Sequence, residues 1–440
     1  MRPSMIALAS GLLALTPLLG LAQDADRPLV PLYDNLGDLS YPITTEVELA
    51  QRYFDQGLRW TYGFNHSEAQ LAFQAAQHHD PDCAMCYWGE ALVLGPNINA
   101  PMPPEAVAPA LEAIEQAQAL ADGVTGVEKA LIQALGERYV ADPQAERAPL
   151  DAAYADAMMQ VHEQFPADHT VAVLAAEAIM DTSPWDYWEA DGLTPKGRIQ
   201  EAIQVVEAVL ADNPDHPQAI HLYIHLTEAS ARPERAEPYA DRLGNLMPGS
   251  GHLVHMPSHT YYRLGRFQDS VNANIDASAA DERYLAGSEA PGPMYQFGYY
   301  PHNLHFVVTS SQMIGDADTA LAYADRLHGS IPDEVAEAVG MAQPMKAGSY
   351  YAYAQLGEPS AVLAMDKPTD DLPFLQGVWH YARGMARVKL EELEEAREES
   401  ARLADITSNT DLSMLESWMV PAPKILRTAR HVLEGNIAMA

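Results

Sequence analysis

The chain has 440 residues with 61 acidic against 26 basic side chains, a net charge of −35. Such a surface repels phosphate backbones and anionic lipid, which argues against nucleic acid as a partner and against membrane insertion. The length exceeds what one compact core usually organises, so either several domains or a repeat array is expected.

The first element is an export signal. Arg2 supplies a basic start, Met5 to Leu21 an apolar run broken only by small residues and Pro17, and Gly20-Leu21-Ala22 a small-residue cleavage site. The mature chain is expected to begin at Gln23, in the periplasm or secreted medium. No Cys stands beside the cleavage site to take a lipid anchor, and no later segment is apolar enough to span a bilayer. Residues 23–45 read as an irregular N-terminal segment, and 46–440 as helical.

Taking Ala50 as position 1 of a 34-residue unit puts Gly57 at position 8, Trp60 at 11, Ala69 at 20, Phe73 at 24, Ala76 at 27 and Pro81 at 32. Small residues at 8 and 20 let two antiparallel helices approach closely, aromatics fill the space between them, and the proline ends the second helix. This unit, 50–83, resembles a tetratricopeptide repeat (TPR). A second unit at 217–250 places Ala236 at 20 and Pro248 at 32, and a third at 258–291 places Gly265 at 8 and Ala277 at 20. About seven residues, Gly251 to Pro257, are inserted between them and read as a loop. Weaker 3.6-residue periodicity marks Pro109 to Leu135, Ala152 to Ile179, Lys196 to Leu210, Val307 to Leu327 and Trp379 to Leu403. The expected fold is all-α, a right-handed solenoid of TPR-like antiparallel helix pairs that can curl around a central groove.

Cys83 and Cys86, the only cysteines, form a CxxC at the start of a helix. Tyr87 follows where a c-type haem site needs His. In an oxidising compartment a local disulfide is the expected state, ahead of a redox-active pair or a thiolate metal site.

Eight of the sixteen histidines (His216, His221, His225, His252, His255, His259, His302 and His305) fall within ninety residues. His221 and His225 lie four apart on a predicted helix, so both rings share one face, and Glu228 extends that face. His255 and His259 repeat the spacing, with Pro257 predicting a helix that starts near Ser258 and leaves His255 just outside it. His302 and His305 stand three apart just after Pro301, on a first turn. Neutral imidazole is the commonest protein ligand for zinc, copper and iron, and paired histidines on successive first helices can converge on one ion or two. The candidate ligand set is His221, His225, Glu228, His255, His259, His302 and His305, with His252, Met256 and His66 as additional ligands. Copper is favoured over zinc or iron because the donors are mostly imidazole with a nearby thioether.

Tyr261, Tyr262, Tyr295, Tyr299 and Tyr300 are candidates to line the groove beside the ion and hold a small molecule or peptide, whereas Tyr223 and Phe306 are expected to pack between helices. No phosphate-cradling glycine loop, GxSxG elbow or HExxH helix occurs. The stretches His221 to Glu228, His252 to His259 and His302 to Phe306 resemble a group of exported bacterial TPR proteins, a resemblance that brings no activity with it. The expected function is a copper-binding protein, a metal-dependent oxidoreductase if it is an enzyme. The alternatives are a metal buffer and a peptide-binding scaffold.

Overall fold

A computed structural model describes residues 30–288 and 291–440, and the expected signal peptide at 1–22 lies outside them. Among the described residues there is no strand, only two isolated bridges. The first helices are α1 (Glu48–Tyr62), α2 (His66–His79), α3 (Ala84–Leu94), α4 (Val107–Leu120), α5 (Gly126–Gly136), α6 (Arg147–Gln164), α7 (His169–Met180) and α8 (Ile199–Asp212). The histidine region follows with α9 (Pro217–Glu228), α10 (Glu237–Leu246), α11 (Gly251–His255), α12 (Pro257–Leu264), α13 (Phe267–Gly287) and α14 (Tyr300–Ile314). The chain continues through α15 (Ala317–Ser330), α16 (Asp333–Ala338), α17 (Ala342–Leu356) and α18 (Pro359–Ala364). It ends with α19 (Pro373–Lys389), α20 (Leu393–Asn409), α21 (Ser413–Ser417) and α22 (Ala422–Met439).

The close approach predicted for the first repeat is present. A methyl group added at Gly57 would sit 2.6 Å from the ring of Phe73, and one added at Gly89 on α3 would sit 2.4 Å from the same ring. Phe73 is therefore clamped by two glycines on flanking helices, and only a residue without Cβ leaves it room. Asn65 caps α2 by accepting from the Glu68 amide. Cys83 and Cys86 are joined in a disulfide at the start of α3, where the Cys83 sulfur also accepts the Cys86 amide at 3.2 Å. This matches the expected pinning of the helix start.

One hydrophobic core runs from Val30 to Tyr299 and a second from Leu304 to Ala429. Within the first, the array closes on itself. The irregular segment after Val30 crosses four helices: Tyr33 N–H donates to Gln56 on α1, Thr44 to Glu128 on α5, Tyr41 to Asp168 beside α7, and the Gly249 amide beyond α10 donates to the Asn35 carbonyl. Tyr284 on α13 donates to Glu68 on α2, and Asn99 to the Tyr299 hydroxyl. The N-terminal pairs are thereby brought against the histidine helices. No helix of the described residues is long and apolar enough to cross a membrane.

The inserted segment departs from expectation. Gly251 to Pro257 is not a loop: Met256 holds α-helical angles (φ −50°, ψ −38°), so α11 runs directly into α12. Pro257 disfavours a helical residue before it, yet burial of Gly251 to Ser258 outweighs that cost. His255 thus ends a helix instead of preceding one. His252, His255 and His259, at i, i+3 and i+7, share one face.

Candidate metal centre

α9 is buried along its whole length. Pro217 opens it and the His216 ring accepts the Ala219 amide, so the helix start is capped without an exposed turn. His221 and His225 then face His252 of α11, with Nε2 of His221 at 3.2 Å from Nε2 of both His225 and His252. Beside them, Nε2 of His255 and of His259 stand 2.9 Å apart, and the His302 ring of α14 lies 4.8 Å from that of His255. Two groups result, His221 with His225 and His252, and His255 with His259 and His302, each with ligand atoms within 4.8 Å of one another. They adjoin, since the His225 and His259 rings are 5.8 Å apart.

The outer nitrogens decide what the inner ones can do. Nδ1 of His221 faces the Tyr62 carbonyl at 2.9 Å and Oε1 of Gln218 at 3.1 Å. The Gln218 amide is oriented by its donation to Glu177. Nδ1 of His225 faces one Glu228 oxygen at 3.1 Å and Nδ1 of His259 the other at 2.7 Å. Nδ1 of His255 faces Oδ1 of Asn274 at 2.6 Å, an amide oriented by its donation to the Ser270 carbonyl. Each partner is an acceptor, so each of these four rings must carry its proton on Nδ1. In the neutral form that leaves a bare lone pair on every Nε2, and those lone pairs point at one another.

Protonation does not relieve this in the first group. Burial first, and the neighbouring imidazoles second, hold His221, His252 and His255 well below the usual histidine range, and burial lowers His225 despite Glu228. Burial alone would raise the Glu228 carboxyl, but the facing His259 and His225 rings outweigh it and keep it ionised. Facing lone pairs around a point, backed by a carboxylate and a carbonyl on the far nitrogens, are satisfied by a metal cation between them. His252 also has a buried Nδ1 without a hydrogen-bond partner.

Of the remaining candidates, Glu228 spans both groups through the outer nitrogens of His225 and His259, and its oxygens face those nitrogens and not the inner ones. His305 joins neither group: it packs against Gly348 of α17, where an added methyl would lie 2.7 Å from its ring. Two histidines three apart on a helix diverge by about 60°, and His302 takes the inward position. His66 bonds the Val93 carbonyl and stands beside Asn97. Met256 is buried in the apolar core. Tyr299 packs 4.5 Å from His252 and Tyr262 packs against Phe267 and Phe306, while Tyr261, Tyr295 and Tyr300 are tied to Asp241, Asp281 and Glu282. Phe306, expected only to fill space, lies within 4.9 Å of the His255, His259 and His302 rings.

The first group has its own covering ring, which the sequence did not signal. Phe64, in the bend after α1, sits 4.5 Å from His221 and parallel to His225 and His252. Trp185, in the loop after α7, meets His225 edge-on at 5.1 Å. Gln218 and Asn274 were also missed, although Gln218 stands one turn before His221.

No family model matches the sequence, and no curated protein matches it. Similar solved structures include the TPR domain of P58(IPK), at 12% identity over 89% of this chain and 98% of that one, TM-score 0.20. Others are the Cut9–Hcn1 hetero-tetramer of APC/C (12%, 88% and 78%, TM-score 0.27) and yeast Tom70 (11%, 88% and 90%, TM-score 0.28). The deciding observation is internal: Gly57 and Phe73, at repeat positions 8 and 24, approach so closely that a methyl group added at Gly57 would lie 2.6 Å from the Phe73 ring. The helix pairs are TPR-like.

The buried imidazoles set an acid limit on the metal-free TPR-like array. Burial pushes His216, His305 and His66 down to about 4 and His302 to about 3. Neutral in the fold, they take up protons on unfolding below their ordinary value of about 6.5, so stability falls as pH drops from there toward 4. Burial acts oppositely on Asp281, raised to about 7, and on Glu177 and Asp181, also raised. Their contribution is full below about 4 and is lost as pH rises through 7. Histidines outnumber these acids, so thermal melts with a chelator from pH 4 to 8.5 should give the highest Tm near 6.5, falling on both sides. A Tm that keeps rising as the medium is acidified from 6.5 would contradict it.

Proposed function

We propose that this is an exported metalloprotein whose two adjoining histidine groups hold a pair of copper ions, and that it acts as a metal-dependent oxidoreductase on a small molecule. The observation that carries this is two facing pairs of bare Nε2 lone pairs in the neutral rings, 3.2 Å apart in His221 and His225 and 2.9 Å apart in His255 and His259, each fixed in place by an acceptor on the outer nitrogen. Three imidazoles per ion leave a coordination position free, the feature that separates reactive from purely structural sites. Inner donors that are all imidazole, with the carboxylate held back, suit copper or zinc better than iron, and copper is the tighter binder of divalent ions. A pair of redox-active ions, each with an open position, suits electron transfer with a small molecule. The Cys83 to Cys86 disulfide suits an oxidising compartment.

The complete burial of the first group favours a second reading, a metal store. Metal content separates these readings from a scaffold. The mature chain, purified and exposed to copper, zinc and iron in turn, should retain two equivalents of copper after dialysis, read by mass spectrometry. A folded chain that retains none of the three removes the proposal. Copper-dependent oxygen consumption with a reductant distinguishes the enzyme from the store.

A further inference from the structure

Four non-glycine residues among those described adopt a left-handed backbone: Phe64, Trp185, Glu391 and Met419. For a bulky aromatic this conformation is costly and persists only where the surroundings impose it. The two aromatic cases, Phe64 and Trp185, both press on His225 of the first group from two different elements, and Phe64 reaches His221 and His252 as well. Their exposures differ sharply. Phe64 is 3% exposed and completes the core, whereas Trp185 is 44% exposed.

That exposure does not come from a loose loop. Trp188 donates to the Leu226 carbonyl of α9, the Lys196 amide to the Tyr187 carbonyl, and the Ala231 amide to the carbonyl of Gly192, whose φ of +66° lets the backbone pass against Ala231. Lys196 pairs with Asp186. On the other side of Trp185 the Ser183 amide donates to the Met180 carbonyl, and the segment so tied holds one indole half in solvent and half against His225. Of the rings touching the first group (Phe64, Trp185, Tyr299 and the neighbouring His255 and His259), Trp185 is the most exposed. It therefore marks the solvent side of the first ion's position.

We propose that Trp185 is a substrate-positioning residue, a platform on which a planar aromatic molecule, neutral or cationic, stacks beside the ion held by His221, His225 and His252. This rests on the metal-centre reading for the ion and on the geometry of the loop for the ligand. A half-exposed indole retains a free apolar face that an aromatic ring covers favourably. The charge preference comes from the surroundings: Glu189 lies in the same loop, where Asp186 is already paired with Lys196, Glu228 carries the carboxylate behind His225, and the chain's net charge is −35. An anionic aromatic would meet that field unfavourably, while an ammonium group would be drawn to it.

Tyramine, an aromatic carrying one ammonium group, is a suitable probe, with benzoate as its anionic counterpart and 2-cyclohexylethylamine as its non-planar one. Each is titrated calorimetrically, without oxygen, into the mature chain loaded with copper. Wild type should bind tyramine more tightly than either comparison molecule. Trp185→Ala should weaken tyramine binding about tenfold, the size of a lost aromatic contact with its buried area. Trp185→Phe, which keeps a ring, should stay within about threefold of wild type, and both variants should retain the wild-type metal content. Equal tyramine affinity in wild type and Trp185→Ala overturns the proposal, as does preferential binding of benzoate. Should Trp185→Ala lose its metal, the comparison passes to Trp185→Phe and Trp185→Leu, and equal affinity of those two overturns it. A wild-type chain that takes up no metal sinks the metal-centre reading instead, and tyramine titrated into that chain and into its Trp185→Ala variant still tests the platform.

Discussion

Replacing His221 and His225 together by Ala is expected to reduce bound copper from two equivalents to one. Both residues contribute an Nε2 to the first group and neither belongs to the second, whose rings come from α11, α12 and α14. Changes to residues that merely orient a ligand typically cost 10–100-fold in metal affinity, so loss of two of three ligands should exceed about 100-fold at that ion. The second group keeps the hydrogen bond from Nδ1 of His259 to Glu228, and its ion should remain. Two truncations in a fully buried helix also leave cavities, which lowers stability whatever the chemistry. His252→Ala is therefore the companion variant: it removes one ligand from the end of the group whose Nδ1 has no partner to orphan. Retention of two tightly held ions in both variants would refute the assignment of the first group.

Glu228→Ala should weaken both ions at once, by about 10–100-fold each, although Glu228 supplies a donor to neither. Its two oxygens hold the outer nitrogens of one ring in each group, at 3.1 and 2.7 Å. Without them two buried N–H groups lose their acceptor, at about 1–3 kcal/mol apiece in fold stability. Glu228→Gln gives a sharper test. The amide has one acceptor oxygen, so one ring keeps its tautomer while the other faces an NH2 group. That second ring must move its proton to Nε2, where the metal would sit, and one ion should weaken far more than the other. Metal titrations followed by competition with a chelator resolve the two sites. Wild-type affinity at both sites in Glu228→Gln would show that the carboxylate does not set these tautomers.

Much of the frame was legible in the residues. The unit starting at Ala50 was readable because close packing of two helices demands small residues and an aromatic at fixed separations, and Gly57 and Phe73 meet that demand through contacts only sixteen positions apart. The pairs His221 with His225 and His255 with His259 were readable for the same local reason, since four residues on a helix bring two rings to one side. Where sequence reasoning erred, non-local packing had intervened. Pro257 pointed to a helix start and a loop before it, but burial of α11 held Met256 helical and moved His252 from an accessory position to a full member of the first group. His302 and His305 were indistinguishable by spacing, and contact with Gly348 on α17 turned His305 away.

By itself, then, the sequence determined the helix pairs, the acidic surface, the local disulfide and the two four-residue histidine pairs, because each depends on residues within a few turns of one another. Tertiary structure alone decided that the six inner histidines divide three and three, that Glu228 stands behind both groups, and that Phe64 and Trp185 press on His225 from segments about 160 and 40 positions away. Those outcomes follow from closure of the array, which depends on the N-terminal segment crossing α1, α5 and α10 and on Glu68 bonding Tyr284 across 216 residues. Helical periodicity records which face of a helix is apolar, and it holds no information on which distant face will meet it.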